Sequence, residues 1–120
     1  MGYIRHHIGK VGEALARQYY ERAGYRVLAR NWRCQFGELD LVCSKGSTLT
    51  IVEVKTRRSD HFGPPEEAVD RAKIERMKAC CRSFMETYPI GSPVDAFELQ
   101  VCAVMMHASG ADIQLFTIDA

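Results

Sequence analysis

No lysine or arginine follows Arg82. All sixteen lie at or before it, among ten acidic residues, so that stretch carries net +6. The remainder has five acids and carries −5. The overall charge of +1 argues against a strong general nucleic-acid binder. The asymmetry still allows a phosphate-binding face opposite an acidic one, as well as an ordinary solvated surface. There is no C-x-x-C pair: Cys34, Cys43, Cys80, Cys81 and Cys102 are odd in number and have no zinc spacing with His6, His7, His61 or His107. That excludes a disulfide framework and a common zinc site and fits reduced thiols in a cytoplasmic protein. No apolar run is long enough to span a bilayer. The start, Met-Gly-Tyr-Ile-Arg-His-His, has neither a signal-peptide core nor the Ser or Thr of a myristoylation signal. The expectation is a cytoplasmic chain with no membrane partner. No P-loop, dinucleotide fingerprint, Ser-His-Asp order, repeat or low-complexity tract is present.

What is there suits one domain over residues 1–120, with 47% apolar and 26% charged residues. Residues 8–24 read as a helix, with Val11, Leu15, Tyr19 and Arg22/Ala23 at helical spacing and Gly24 as its stop. Gly9 and Gly12 allow close approach in its first turns. Residues 25–33 alternate as a strand, in which Trp32 reads as a core or rim residue. Residues 57–65 are a polar, Gly- and Pro-containing loop, and 66–88 is a helix with Val69, Met77, Cys80/Cys81, Phe84 and Tyr88 along one stripe. Two further strands, 97–106 and 113–118, complete an α-βββ-α-ββ order. The fold class is α/β, a mixed sheet of about five strands flanked by helices.

The chemistry concentrates in one hairpin, residues 37–57. Glu38, Asp40 and Val42 alternate with Leu39, Leu41 and Cys43. After Lys45-Gly46-Ser47-Thr48 the alternation resumes through Leu49, Ile51, Glu53 and Lys55. Glycine at the first central turn position suits a type II′ turn. Pairing Lys45 with Thr48 sets Asp40 opposite Glu53 and Glu38 opposite Lys55. Opposed carboxylates repel, so one must take up a proton or both must share a cation. A hard cation such as Mg²⁺ uses one or two carboxylates with waters and also binds phosphate. A neighbouring lysine can orient water or offset charge on phosphorus. This spacing suggests metal-assisted phosphodiester hydrolysis, and equally allows an ion-paired surface hairpin, with Glu38 on Lys55 and Asp40 solvated. Glu13, in the first helix, reads as a dipole-favoured carboxylate paired with Arg17 or as a third acid of the site.

Several motifs carry a resemblance. They are Gly9-x-x-Gly-Glu13-x-x-Ala16, Gly24-Tyr25, Asn31-Trp-Arg33, Gly37-Glu-Leu-Asp-Leu-Val42, Val52-Glu-Val-Lys-Thr-Arg57 and Phe62-Gly-x-Pro-x-Glu-Ala-Val69, extended by Lys73 and Arg76. Together they resemble the YraN-like endonuclease family, assigned to the restriction-endonuclease-like PD-(D/E)xK fold, and the arrangement of acids also resembles archaeal Holliday-junction resolvases. The resemblance implies that Asp40, Glu53 and the Val54 carbonyl hold Mg²⁺ or Mn²⁺. It implies that Lys55 positions the attacking water and that Glu13 completes the acidic cluster. The substrate it implies is DNA, including branched or structured DNA, with a homodimer by analogy to the resolvases. Arg33, Arg57, Arg58, Lys73 and Arg76 are the expected phosphate contacts. The sequence departs from the family at 96–100, where Ala-Phe-Glu-Leu-Gln stands in place of Arg-Phe-Asp-Val-Val. Two rival readings remain open: a non-catalytic nucleic-acid-binding module, and a protein-interaction subunit with an incidental charged hairpin.

Overall fold

The computed structural model describes residues 2–58 and 69–118, with side chains from His7 onward. Seven elements follow in order: α1 (Gly2–Arg22), β1 (Arg26–Cys34), β2 (Gly37–Lys45), β3 (Thr48–Arg58), α2 (Arg71–Thr87), β4 (Ala96–His107) and β5 (Gly110–Ile118). They form one sheet in the order β1-β2-β3-β4-β5. Neighbours are antiparallel except β3 and β4, which run parallel on either side of the crossover through α2. This is the mixed five-stranded sheet with two flanking helices that the residue pattern suggests. Most of the loop and the Phe62-to-Ala68 part of its motif lie outside the described residues. Among the described residues no helix is long and apolar enough to cross a membrane.

The two helices cover opposite faces. Leu49 and Ile51 of β3 join Met77, Cys80 and Phe84 of α2 in one cluster. Val52 joins Ala16 and Tyr20 of α1 in the other. Successive strand residues point to opposite faces, so β3 is buried on both sides. β4 is likewise buried at every position from Leu99 to Val104. The alternation in these strands therefore marks two packed faces, not one wet and one dry.

α1 ends as its sequence requires. Gly24 sits at φ +93°. Its N–H donates to Glu21 O at 3.1 Å and Tyr25 N–H donates to Tyr20 O at 2.9 Å, the paired bonds of a Schellman cap. The Tyr20 and Tyr25 rings meet edge-on at 5.1 Å, which supplies the apolar contact of that motif. The buried stripe of α1 is Gly12, Ala16 and Tyr20. Tyr19, expected to face inward, is 40% exposed. Adjacent tyrosines satisfy helical spacing equally well, and the cap selects Tyr20. Gly12 lets the helix settle on β3, because a Cβ there would collide with the Thr56 side chain. Gly9 has open space around it and serves no such approach.

α2 starts later than expected. Val69 and Asp70 lie outside the helix, and Asp70 caps it by accepting from Lys73 N–H at 2.8 Å. Trp32 of β1 packs edge-on against Phe84 of α2 at 5.2 Å. The β2–β3 turn has Gly46 at φ +60°. Ser47 is not among the positive-φ residues, which fits the type II′ geometry. The ladder keeps the expected register, from Lys45↔Thr48 to Leu41↔Val52.

Two stability outcomes follow. Gly12→Ala should cost about 1–3 kcal/mol in chemical denaturation, because overpacking outweighs the gain in helix propensity. Asp70→Ala should cost about 1 kcal/mol, and Asp70→Asn should retain most of it.

Candidate functional site

Strict alternation fails at Asp40. Leu39 packs in the α2-side cluster, whereas Leu41, two residues on, packs in the α1-side cluster. This corrects the expectation that both share a face. The paired positions of β1 and β2 skip the same point, passing from Arg30↔Leu41 to Trp32↔Leu39. The residue opposite Asp40 there is Asn31, at φ +49°, a left-handed conformation that Asn tolerates better than most side chains. A bulge between Val27 and Ala29 adds to the distortion of β1. The recorded β2–β3 ladder also stops one residue short of Asp40. In its place Asp40 Oδ2 accepts the Val54 N–H at 2.8 Å. The carboxylate thus takes a main-chain donor and lies at the break in both ladders.

Glu53 is only 6% exposed, one of the few polar residues buried in the sheet. A buried carboxylate needs partners, and two lysines supply them. Lys55 Nζ is 3.2 Å from Oε2, and Lys73 Nζ is 3.3 Å from Oε1. Lys55 comes from the same strand, two residues on. Lys73 comes from the first turn of α2, oriented by the Asp70 cap. Both ammonium groups remain partly open to solvent, at 26% and 29% side-chain exposure.

Asp40 feels this cluster. Burial first, and the nearby Glu53 charge second, push its carboxyl up to about 7. The Val54 hydrogen bond lowers it, the Glu13 charge raises it, and Lys73 lowers it. Glu13 and Asp40 line one cleft of about 210 Å³, together with Lys10, Ala14, Arg30, Asn31 and Leu41. Gly12 is what lets the Glu13 turn of α1 come this close. The structure therefore brings Asp40, Glu53, Lys55, Glu13 and Lys73 into one electrostatic neighbourhood. Val54 joins it through its N–H.

The other expected contacts lie around this centre. Arg33 pairs with Glu38 across β1 and β2 at 3.6 Å and Lys55 lies on Glu53, so the Glu38–Lys55 pair of the surface-hairpin reading is not formed, and Asp40 is half-buried on the Val54 N–H. Arg57 Nη1 donates to the Thr56 carbonyl at 3.1 Å. Arg58 is exposed at the end of β3, and Arg76 is exposed on α2. Residue patterns alone missed Arg30 and Lys10 as cleft residues and Lys73 as a partner of Glu53. The only signal for Lys73 is its place three residues after a capping aspartate.

The acids fit a hard divalent cation by donor chemistry. They are oxygen donors, and burial, followed by the nearby Glu53 charge, disfavours the ionised Asp40 carboxylate, a cost that a cation would relieve. Among the described residues no three His, Cys, Asp or Glu side chains converge as a complete ligand set. The residues that could offer oxygen to such a cation are Asp40 and Glu53, with main-chain oxygen or water completing its shell.

The raised carboxyl also sets a stability trend. Between about pH 4 and pH 7 the folded chain binds a proton at Asp40 that the unfolded chain has lost. Stability contributed by this group is present at low pH and is lost as pH rises through about 7. Asp40→Asn should flatten that decline and raise the melting temperature at pH 8. Mg²⁺ should raise the wild-type melting temperature at pH 8 and leave the variant nearly unmoved.

Comparison with known proteins places the chain. A family model described as "Uncharacterised protein family UPF0102" matches residues 12–107, which include all five residues of the charged cluster. A UPF0102 protein of Syntrophus aciditrophicus (strain SB) is 41% identical over 107 residues, covering 89% of this chain and 83% of that protein. One from Syntrophomonas wolfei subsp. wolfei is 45% identical over 92 residues, covering 77% and 80%. Another, from Bacteroides thetaiotaomicron, is 46% identical over 87 residues, covering 72% of each. With a family model spanning most of its length and relatives of this similarity, the chain belongs to the UPF0102 family.

Proposed function

We propose that this chain is a divalent-metal-dependent nuclease that hydrolyses phosphodiester bonds of DNA, including branched or structured DNA. The observation that carries this reading is the juxtaposition of Asp40, raised by burial and by Glu53, with a Glu53 flanked by two solvent-reachable lysines. The α-βββ-α-ββ order and mixed sheet agree with the PD-(D/E)xK architecture that the sequence resembles. Asp40 and Glu53 would hold Mg²⁺ or Mn²⁺, with Val54 contributing its carbonyl. The cation would supply Lewis-acid stabilisation of charge developing on the phosphoryl oxygens.

The chain's own residues do the rest. Lys55 sets its ammonium group beside Glu53 and can orient a water or offset negative charge at phosphorus. Lys73 shares the charge of Glu53, which leaves Lys55 freer to turn toward a substrate. Glu13 adds negative potential across the cleft and favours a cation there. Arg58 and Arg76, which are exposed, and the half-buried Arg57 supply positive charge for backbone phosphates, with Arg33 after exchange of its Glu38 contact.

A second reading has its own support. The two lysines already compensate Glu53 without a metal, as in a charge cluster that serves binding alone. On that reading the chain binds nucleic acid without turnover, and its affinity falls steeply with salt.

A cleavage panel of linear, single-stranded, flapped and four-way DNA with Mg²⁺ or Mn²⁺ separates the two. The expected outcome is metal-dependent cleavage that Asp40→Asn and Lys55→Ala each reduce by about 10²-fold or more, with circular dichroism unchanged. Salt-sensitive binding without cleavage selects the second reading. Wild-type rates in either variant would remove the nuclease assignment.

A further inference from the structure

Away from the acids, two cysteines sit sulfur to sulfur. Cys34, the last residue of β1, places Sγ 3.3 Å from Sγ of Cys80 on α2. The two are far apart in sequence, and all five cysteines are free thiols. Phe36 N–H donates to Cys34 Sγ at 3.4 Å across the β1–β2 turn. Gly37 follows at φ +142°, and a Cβ there would lie 3.7 Å from Cys80 Sγ. The bare backbone of the turn thus closes over one sulfur and donates to the other.

Their exposures differ in the useful direction. Cys34 is half-buried beside Phe36, which is 44% exposed, and Cys80 is 1% exposed. A reagent from solvent meets Cys34 first, and Cys80 waits directly behind it. We propose that Cys34 and Cys80 form a peroxide-reactive dithiol, in which Cys34 is the oxidised sulfur and Cys80 the resolving one.

Electrostatics agree with the order. Burial opposes ionisation of Cys34, but hydrogen bonds from Phe36 N–H, the Cys80 thiol, Gly37 N–H and Ser83 outweigh it and hold its pKa below the ordinary thiol value. Burial pushes Cys80 up to about 12, with the neighbouring Cys34 adding to the rise. Cys34 is therefore the more readily ionised thiol of the pair, and thiolate character with access governs oxidation.

The chemistry balances with a peroxide as oxidant. Cys34 thiolate attacks one peroxide oxygen, the O–O bond breaks, and hydroxide leaves and is protonated to water. Cys34 is now a sulfenic acid. Cys80 loses its proton as its sulfur attacks the Cys34 sulfur; the S–O bond breaks and a second water leaves. Two thiols have given two electrons, and one peroxide has become two waters. The new bond ties the end of β1 to α2, the helix whose Lys73 partners Glu53 two turns earlier.

The test treats the reduced full chain with a small excess of hydrogen peroxide, alkylates the remaining thiols, and sequences tryptic peptides by mass spectrometry. Trypsin leaves Cys34 with Cys43 and Cys80 with Cys81, so fragment ions must assign the bond. The expected product is an intramolecular Cys34–Cys80 disulfide, with Cys34 consumed at least about ten-fold faster than Cys43 or Cys102. Cys34→Ser should abolish the bond. Cys80→Ser should instead accumulate a dimedone-reactive sulfenic acid at Cys34. A Cys80–Cys81 or intermolecular bond, or oxidation of Cys34 no faster than of Cys102, would overturn the proposal. None of these readouts depends on nuclease activity.

Discussion

A carboxylate in the middle of a sheet that is covered on both faces cannot remain alone. Glu53 is that carboxylate, and much of the local architecture is the means of supplying it with partners. Lys55 reaches it from the same strand, and Lys73 reaches it from the helix that crosses over to β4. Burying such an ion without partners would cost several kcal/mol. The partners in turn need support: Asp70 caps α2 where Lys73 leaves the backbone, and Met77, Cys80 and Phe84 hold that helix on the sheet. Charge pairing and packing meet at one side chain.

Asp40 is the counterpart that is not fully paired. It sits where both of the strand's ladders are interrupted, and the Val54 N–H is its main-chain anchor. The left-handed Asn31 across from it lets β1 continue past the break. Backbone irregularity of this kind has a cost, and it persists only where surrounding structure enforces it. Here the two packed faces do so, with α1 on one side and α2 on the other.

The hairpin was legible because its turn is chemically explicit. Gly46 fixes the turn, and the turn fixes the register through Leu41↔Val52. That is enough to bring Asp40 and Glu53 together from residues alone. The local break was not legible, since it depends on β1 pairing and on a positive φ that no residue pattern announces. The resemblance makes Lys73 a phosphate contact, and no local rule says that α2 will deliver its first turn to β3. The stripe of α2 was readable, since its apolar residues are separated by polar ones. That of α1 was ambiguous, since Tyr19 and Tyr20 are neighbours and a cap at Gly24 decides between them. The burial of β4 on both faces follows from its central place in the sheet, which composition hints at and topology determines.

The two lysines on Glu53 differ in how they arrive. Lys55 is tethered two residues away and accompanies the acid in any state of the chain. Lys73 is twenty residues away and arrives only when the crossover has closed. A molecule whose second helix has lifted would leave that carboxylate with one lysine in place of two. The pairing of a single glutamate is thereby coupled to the docking of an entire helix, so that electrical balance at the centre of the sheet reports whether its cover is in place.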